Sequence, residues 1–470
     1  MSNLHDGDKS HAPVNLDDSA QDTIHAVLQK VIVAHQQALS LLQQTEMAYA
    51  RLIPRQLLTL LERDSIVDLK LGDQIERKLT VMFSDIRNFT PLSESMTPRE
   101  NFEFINSYLS QMEPVISKHH GIIDKYMGDA IMALFIQSAD DAVAGSIAML
   151  EKLEQYNAGR RRAGYKPVQI GIGLNTGMVM IGTVGGANRM DSTVIGDAVN
   201  LTARIEQTTK AYHAPLLISQ NTLYDLADPS KYDIRFLDRV RVKGKTQPLS
   251  LFEVFDNDPA GLRNAKRASR HTFEEAIAYY HLKEIPRSIE LLTRCIENAP
   301  DDIPARTYLA RCKEYLATGQ HAGTDELNNH LEWRDEFRIG IEEIDLAHGL
   351  LYDKINAFIS TVRNGGHEAI REMLAFLAGH AETHFMTEEG MMQRHNYPFS
   401  ESHLQEHKRF VENFTTLNEK AVAEACDPLY LSFRAQLLLF DWFSGHIAKA
   451  DRHMGRYLLN AVQPAEKRPA

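Results

Sequence analysis

Seven residues of metal-ligating type recur at helical spacing in the last third of the chain: His348 in IDLAH, His384 and Glu388 in HFMTE, His403 and His407 in HLQEH, and His446 and Asp451 in HIAKAD. A spacing of four puts both side chains on one helix face, one turn apart. The five between His446 and Asp451 is looser, about 140° further round an α-helix, although long side chains can still converge. One histidine on an apolar helix face is ordinarily a core residue. Five imidazoles and two carboxylates on four predicted helices describe a metal-centred bundle. Ferritin-like sites use Glu-x-x-His, which none of the seven forms. His380, His395 and His453 fall outside the pattern and are expected not to touch metal.

A second set lies upstream. Asp85 ends the strand-like run LTVMFSD, and Asp129 sits at the Gly-Asp turn of KYMGDA. Carboxylates on adjacent strands can clamp two divalent ions about 3.5–4 Å apart. Oxygen ligands facing a phosphate-bearing substrate suit Mg2+ or Mn2+. Asn200 and Arg204 stand four apart on a predicted helix, 197–210, so both can act on one ligand. The guanidinium of Arg204 is a planar fork of N–H donors suited to anionic oxygens. The competing use of Arg204 is a surface ion pair with a carboxylate such as Glu206.

The elements that must position these residues can be read from pattern. The 470 residues suggest about three domains, and 43% hydrophobic with 24% charged residues is a globular composition. A net charge of −12 argues against nucleic acid as a partner. Three cysteines form no CxxC, which points to a reducing cytosol. No apolar run approaches the ~18 residues of a membrane span, and the first residues lack the apolar core of a signal peptide. Residues 1–20 read as a disordered lead and 21–74 as a helical dimerisation segment, whose apolar residues Ile24, Leu28, Val31, Leu42 and Leu52 follow a heptad seam weakened by His35 and Thr45. Residues 75–256 alternate strands and helices, an α/β sandwich with a mostly antiparallel sheet. Within it, VQIGIGLNTG and VMIGTVGG read as two strands. Residues 260–325 read as a helical connector. Four helices follow, roughly 341–363, 367–395, 400–422 and 428–460, within a bundle spanning 333–462. In this order, any signal from bundle to sheet is expected to travel back through 260–325.

Two family resemblances sharpen this reading. LTVMFSDIRNFTPLSE, KYMGDAIMALF and TVIGDAVNLTARIE resemble the class III nucleotide cyclases. The resemblance implies a ferredoxin-like α/β core working as a head-to-tail homodimer with active sites at the dimer interface. It assigns Asp85, Asp129 and the Ile86 carbonyl to two Mg2+ or Mn2+ ions, Asn200 to the ribose, Arg204 to the transition state and Lys243 (or its neighbour Lys245) to the terminal phosphates. Lys125 and Thr193 are the implied purine readers. Guanylate cyclases of the family carry Glu and Cys at those places, so Lys125 and Thr193 favour ATP over GTP. Threonine there also resembles a bacterial subgroup in which bicarbonate response occurs. The segment 260–325 resembles one tetratricopeptide unit with a further helix. From Trp333, the runs IDLAH, HFMTEE, NYPFSESHLQEH and FDWFSGHIAKAD resemble hemerythrin. That family implies two non-haem irons: His403, His407 and His446 on one, His348 and His384 on the other, and Glu388 and Asp451 bridging. The iron with two histidines keeps an open position for O2. The expectation is an adenylate cyclase making cyclic AMP, governed by O2 or redox state. The alternatives are a cyclase whose bundle stores O2 or iron or senses nitric oxide, and a guanylate cyclase.

Overall fold

The structure is a computed structural model that describes residues 18–50, 55–186, 189–241, 248–319, 331–423 and 426–462. Lys243, Lys245 and most of the 1–20 lead lie outside the described residues. The described chain up to Asp73, with Thr183–Ser192, forms one compact unit, and Gln74–Gly182 with the chain from Thr193 forms another.

In the first unit, α1 (Asp18–Ala50) runs for 33 residues and is followed by α2 (Arg55–Leu60). Ile24, Leu28, Val31 and Leu42 are 48–65% exposed along α1, so its apolar stripe is exposed among the described residues. Arg63 grips Asp73 with two hydrogen bonds of 3.0 Å each.

From Gln74 the elements are β1 (Gln74–Ile86), α3 (Phe89–Glu94), α4 (Pro98–Lys118), β2 (Gly121–Met127), β3 (Ala130–Phe135), α5 (Ala139–Arg162), β4 (Ile170–Gly186), β5 (Arg189–Ile195), α6 (Asp197–Tyr212), β6 (Leu216–Ser219), α7 (Gln220–Asp225), β7 (Ile234–Arg241) and β8 (Pro248–Val254). The sheet order is β2-β3-β1-β4-β6-β8-β7, with β5 off this path as the partner of β4. Only β4 and β6 pair in parallel along the path. The run β1-α4-β2-β3-α5-β4 is the β-α-β-β-α-β arrangement of the ferredoxin-like fold. Its helices start where side chains satisfy open N–H groups: Thr97 and Glu100 form a capping box for α4, and Ser138 caps α5. Residues 170–186 are one strand rather than two, since β1 pairs with β4 without a break from Gln74↔Gly182 to Ile86↔Ile170.

Three helices follow, α8 (Ala260–His281), α9 (Ile285–Asn298) and α10 (Ile303–Thr318). They are fixed to the sheet by buried charge. Arg235 on β7, fully buried, donates to Glu253 at 2.6 Å and to both oxygens of Asp302 at 2.7 Å, and Lys266 meets Glu253 at 2.9 Å. Such ions hold their place only while each keeps its partner.

The bundle comprises α11 (Glu342–Arg394), which breaks at Gly366 (φ 55°, ψ −145°) into two helices, then α12 (Ser400–Val422), and a last helix in three parts. Those parts are α13 (Pro428–Trp442), a π-helical stretch Phe443–Asp451, and α14 (Arg452–Val462). The expected single helix 428–460 thus changes winding where the metal-type residues lie. The bundle and the sheet share one apolar cluster: Leu249 and Leu251 of β8, Phe273 and Tyr308 of the connecting helices, and Phe433 and Leu437 of α13. The Ser250 hydroxyl donates to Asp441 on α13 at 2.9 Å, with both residues buried. The bundle therefore touches the sheet directly, which corrects the expectation that 260–325 is the sole route between them. Among the described residues no helix is long and apolar enough to cross a membrane.

Candidate active site and metal centre

The β2–β3 hairpin turns through Gly128 and Asp129 alone, since Met127 pairs with Ala130. Gly128 takes φ +68°, the left-handed conformation that two-residue hairpins demand. The β1–β3 register ends at Ser84↔Ile131, so the next residue, Asp85, lies beside this turn. Burial first, then hydrogen bonding and repulsion from Asp85, push the Asp129 carboxyl up to about 7. One oxygen of Asp129 is buried without a hydrogen-bond partner. Two carboxyls in contact, one of them holding a proton near neutrality, form the donor set that a divalent cation relieves. Asp85 and Asp129 therefore fit the metal site assigned to them.

Helix α6 sits on the sheet because β4 is bare at Gly173, where a Cβ would lie 2.4 Å from the Glu206 backbone nitrogen. Ala198, Leu201, Ile205, Thr209 and Tyr212 face inward. That orientation leaves Asn200 exposed and Arg204 part-exposed on the outer side. Glu206 does not pair with Arg204: it faces Arg87 at the end of β1, 3.7 Å away. Lys125, on β2, and Thr193, on β5, are 68 positions apart in sequence, yet Lys125 Nζ donates to Thr193 Oγ1 at 3.0 Å. Lys125 also meets Asp124 at 3.2 Å.

All seven metal-type residues of the bundle converge. His403, His407 and His446 with Glu388 form one buried group, and His348 and His384 with Glu388 and Asp451 form another; within each group the ligand atoms lie within 4.8 Å of one another. Asp451 also reaches toward the first group, 2.9 Å from His446 Nε2 and 3.3 Å from His403 Nε2. Glu388 and Asp451 thus stand between the two sets of histidines. Both carboxylates are fully buried, and Glu388 Oε1, both Asp451 oxygens and Nε2 of His348 and His384 find no hydrogen bond. Burial drives His384 down to about 2, and His403 and His407 to about 4, which holds them in the neutral form that ligates metal. Against burial, Asp451 raises His348 and lifts His446 to about 10. Cations between the imidazoles and the unsatisfied oxygens would take the place of those protons. The π-helix explains the five-residue spacing: its i→i+5 bonding brings Asp451 back over His446, which an α-helix would not.

Residues 73–253 match the family model described as adenylate and guanylate cyclase catalytic domain, and residues 339–458 match the hemerythrin HHE cation-binding domain. The chain joins a class III cyclase domain to a hemerythrin domain. An adenylate cyclase of Anabaena cylindrica is 39% identical over 219 residues, 45% of this chain and 44% of that protein. The terminal-differentiation-specific adenylate cyclase of Dictyostelium discoideum is 34% identical over 299 residues, 60% of this chain and 13% of its own length. The chain thus spans less than half the length of these curated relatives. Among solved structures, the adenylyl cyclase CyaB of P. aeruginosa is 34% identical, with 39% of this chain and 96% of that one covered and a TM-score of 0.36.

The hemerythrin domain also holds its histidines from behind. Nδ1 of His348 donates to the Phe337 carbonyl (3.0 Å), Nδ1 of His407 faces Glu389 (3.1 Å) and Nδ1 of His446 faces Glu406 (2.8 Å). Each contact turns Nε2 toward the centre. Phe385 stacks on His407 at 3.9 Å and Trp442 on His446 at 3.8 Å, with Phe443 and Ile447 fully buried beside them. Glu389 and Glu406 escaped the sequence reading. Each adjoins a metal-type residue, Glu388 and His407, and that adjacency was the only available signal. His453, expected to lie off the metal, accepts from the Tyr397 hydroxyl at 2.6 Å and meets Glu76 at 3.1 Å.

Proposed function

We propose that the chain is an adenylate cyclase, converting ATP to 3′,5′-cyclic AMP and pyrophosphate as a homodimer, with turnover set by O2 or redox state at a di-iron centre in the hemerythrin domain. The contact between Lys125 and Thr193 carries the choice of base. An ammonium only donates, which suits the N1 acceptor of adenine and opposes the N1–H of guanine. A hydroxyl that already accepts from Lys125 keeps a lone pair for the adenine N6 amino group. The names of the Anabaena and Dictyostelium relatives support the same substrate.

Divalent ions held by Asp85, Asp129 and the Ile86 carbonyl would lower the pKa of the ribose 3′-hydroxyl and neutralise the triphosphate. Asn200 would orient the ribose, Arg204 would offer its donors to the non-bridging oxygens, and Lys243 would hold the terminal phosphates. Asn200 and Arg204 face outward on α6, which supports delivery to the site of a second copy, with the exposed stripe of α1 in 21–74 as the dimerisation helix. Irons held by His403, His407 and His446 and by His348 and His384, bridged by Glu388 and Asp451, would supply O2 binding and redox change. Phe385, Trp442, Phe443 and Ile447 keep water from that centre.

The test is turnover of ATP and GTP by the purified chain with its irons diferrous, diferrous with O2, and diferric. ATP should be preferred and its rate should differ between iron states. Preference for GTP overturns the substrate reading, and equal rates in every iron state overturn the sensor.

A further inference from the structure

Resting on that reading, we infer that Glu406 couples the iron centre to the cyclase, because its two oxygens join a histidine proposed to ligate iron to the strand that carries Asp85 near its end. Oε2 of Glu406 takes the Nδ1 hydrogen of His446 at 2.8 Å, and Oε1 takes a hydrogen from Lys78 Nζ at 3.1 Å. Lys78 lies on β1, seven residues before Asp85, and its ammonium also binds Ser402 (3.2 Å) on α12 and Asp225 (3.1 Å) at the end of α7. The side chains of Lys78 and Glu406 are 23% and 27% exposed, so solvent screens the pair little. A second contact lands two residues away: His453, two positions past the bridging Asp451, meets Glu76 of β1 at 3.1 Å. Glu76 and Lys78 share one face of the strand, since side chains alternate.

Any shift in the position or charge of His446 thus reaches β1 through two polar contacts, with no loop between. Glu406 also has room to take a second arrangement. A cavity of about 370 Å3 lies between sheet and bundle, lined by Lys78, Glu406, His446, Trp442, Arg409 and Asn175. β1 pairs along its whole length with β4, so a displacement at Lys78 is transmitted along a stiff ladder toward Asp85. Glu406 is a positioning residue here: it is not among the seven ligands, and it would act through His446 and Lys78.

The test uses the iron-loaded full chain and the substitutions Glu406→Gln and Lys78→Met, with Asp225→Asn as a control that also contacts Lys78 but no iron ligand. Two quantities are read: the ratio of ATP turnover between diferrous and diferric protein, and the shift in iron midpoint potential when a non-hydrolysable ATP analogue saturates the cyclase. Coupling between sites is reciprocal, so the second quantity must move if the sites communicate. In the wild type the turnover ratio should be roughly 5-fold or more. Glu406→Gln and Lys78→Met should both bring it to unity and abolish the nucleotide-induced shift, with the iron absorption bands retained, while Asp225→Asn should keep both. A responsive wild type beside equally responsive Glu406 and Lys78 variants overturns the bridge alone, as does equal loss in Asp225→Asn. A wild type whose turnover ignores iron state overturns the regulatory reading and the bridge with it.

Discussion

Replacing Lys125 with methionine tests the base-reading contact most directly. The lysine has three N–H donors. Thr193 takes one at 3.0 Å, and Asp124 lies 3.2 Å away as an ion pair, so donors remain for the purine edge. A hydrogen bond from a charged donor contributes about 1.5–3 kcal/mol. At about 1.4 kcal/mol per decade, its loss should lower kcat/KM for ATP by roughly 10- to 150-fold. Guanine turns an N1–H toward the same ammonium, so K125M removes a clash for GTP and should leave its kcat/KM unchanged or higher. The assay is steady-state turnover on both nucleotides at saturating Mg2+ or Mn2+. A melting curve should accompany it, because the side chain of Asp124 is fully buried and loses a cation. An ATP-to-GTP ratio that stays constant, with either rate altered or not, would refute the assignment of Lys125 to the base.

Asp85→Asn should reduce cyclase turnover by at least ~10³-fold, as loss of a ligand to catalytic cations costs several kcal/mol; the iron absorption spectrum should be untouched, which separates the two sites in one sample. Chelating the iron should lower the melting temperature of the bundle, since Glu388 and Asp451 would stay buried without cations; calorimetry with and without chelator checks this. Arg235→Met should destabilise by about 3–5 kcal/mol in urea titration, because it strands Glu253 and Asp302 in the interior. Burial pushes Asp441 up to about 6 from 3.8, against the pull of Arg239 and Ser250. The folded state then holds a proton that the unfolded carboxyl releases, so this residue's contribution falls as pH climbs from about 4 to about 6 and is level above. Two units correspond to about 3 kcal/mol. Melts of wild type and D441N across pH 4–8 should diverge by that order, with D441N gaining as pH rises.

The parts that repeat at short range were legible in the sequence. Pairs such as His403 and His407 announce a shared helix face, and Gly128-Asp129 between apolar runs announces a hairpin. The pairing of Lys125 with Thr193 could be inferred only through the family, because 68 residues of chain separate them. Two features had little or no local signal. The π-helical winding at Phe443–Asp451 is chosen by where the side chains must converge, and it shows in FSGHIAKAD only as the five-residue spacing of His446 and Asp451. The docking of the bundle on β1 and β8 depends on complementarity between surfaces far apart in sequence. Nothing in the sequence separates Lys78 and Glu406 from solvated charges, which single charges on amphipathic elements usually are.

The π-helix also sets more than one contact. Relative to an α-helix, the extra residue between His446 and Asp451 offsets everything after it by one position, about 100° about the helix axis. Asp451 is turned inward by that offset, and so is the start of α14, where His453 meets Tyr397 and Glu76. The carboxylate proposed to bridge the irons and the side chain that rests on β1 are thus clocked by the same one-residue phase shift. A deletion between His446 and Asp451 would rotate both away at once, so this helix cannot lose its inward carboxylate by such a change and keep its grip on the cyclase strand.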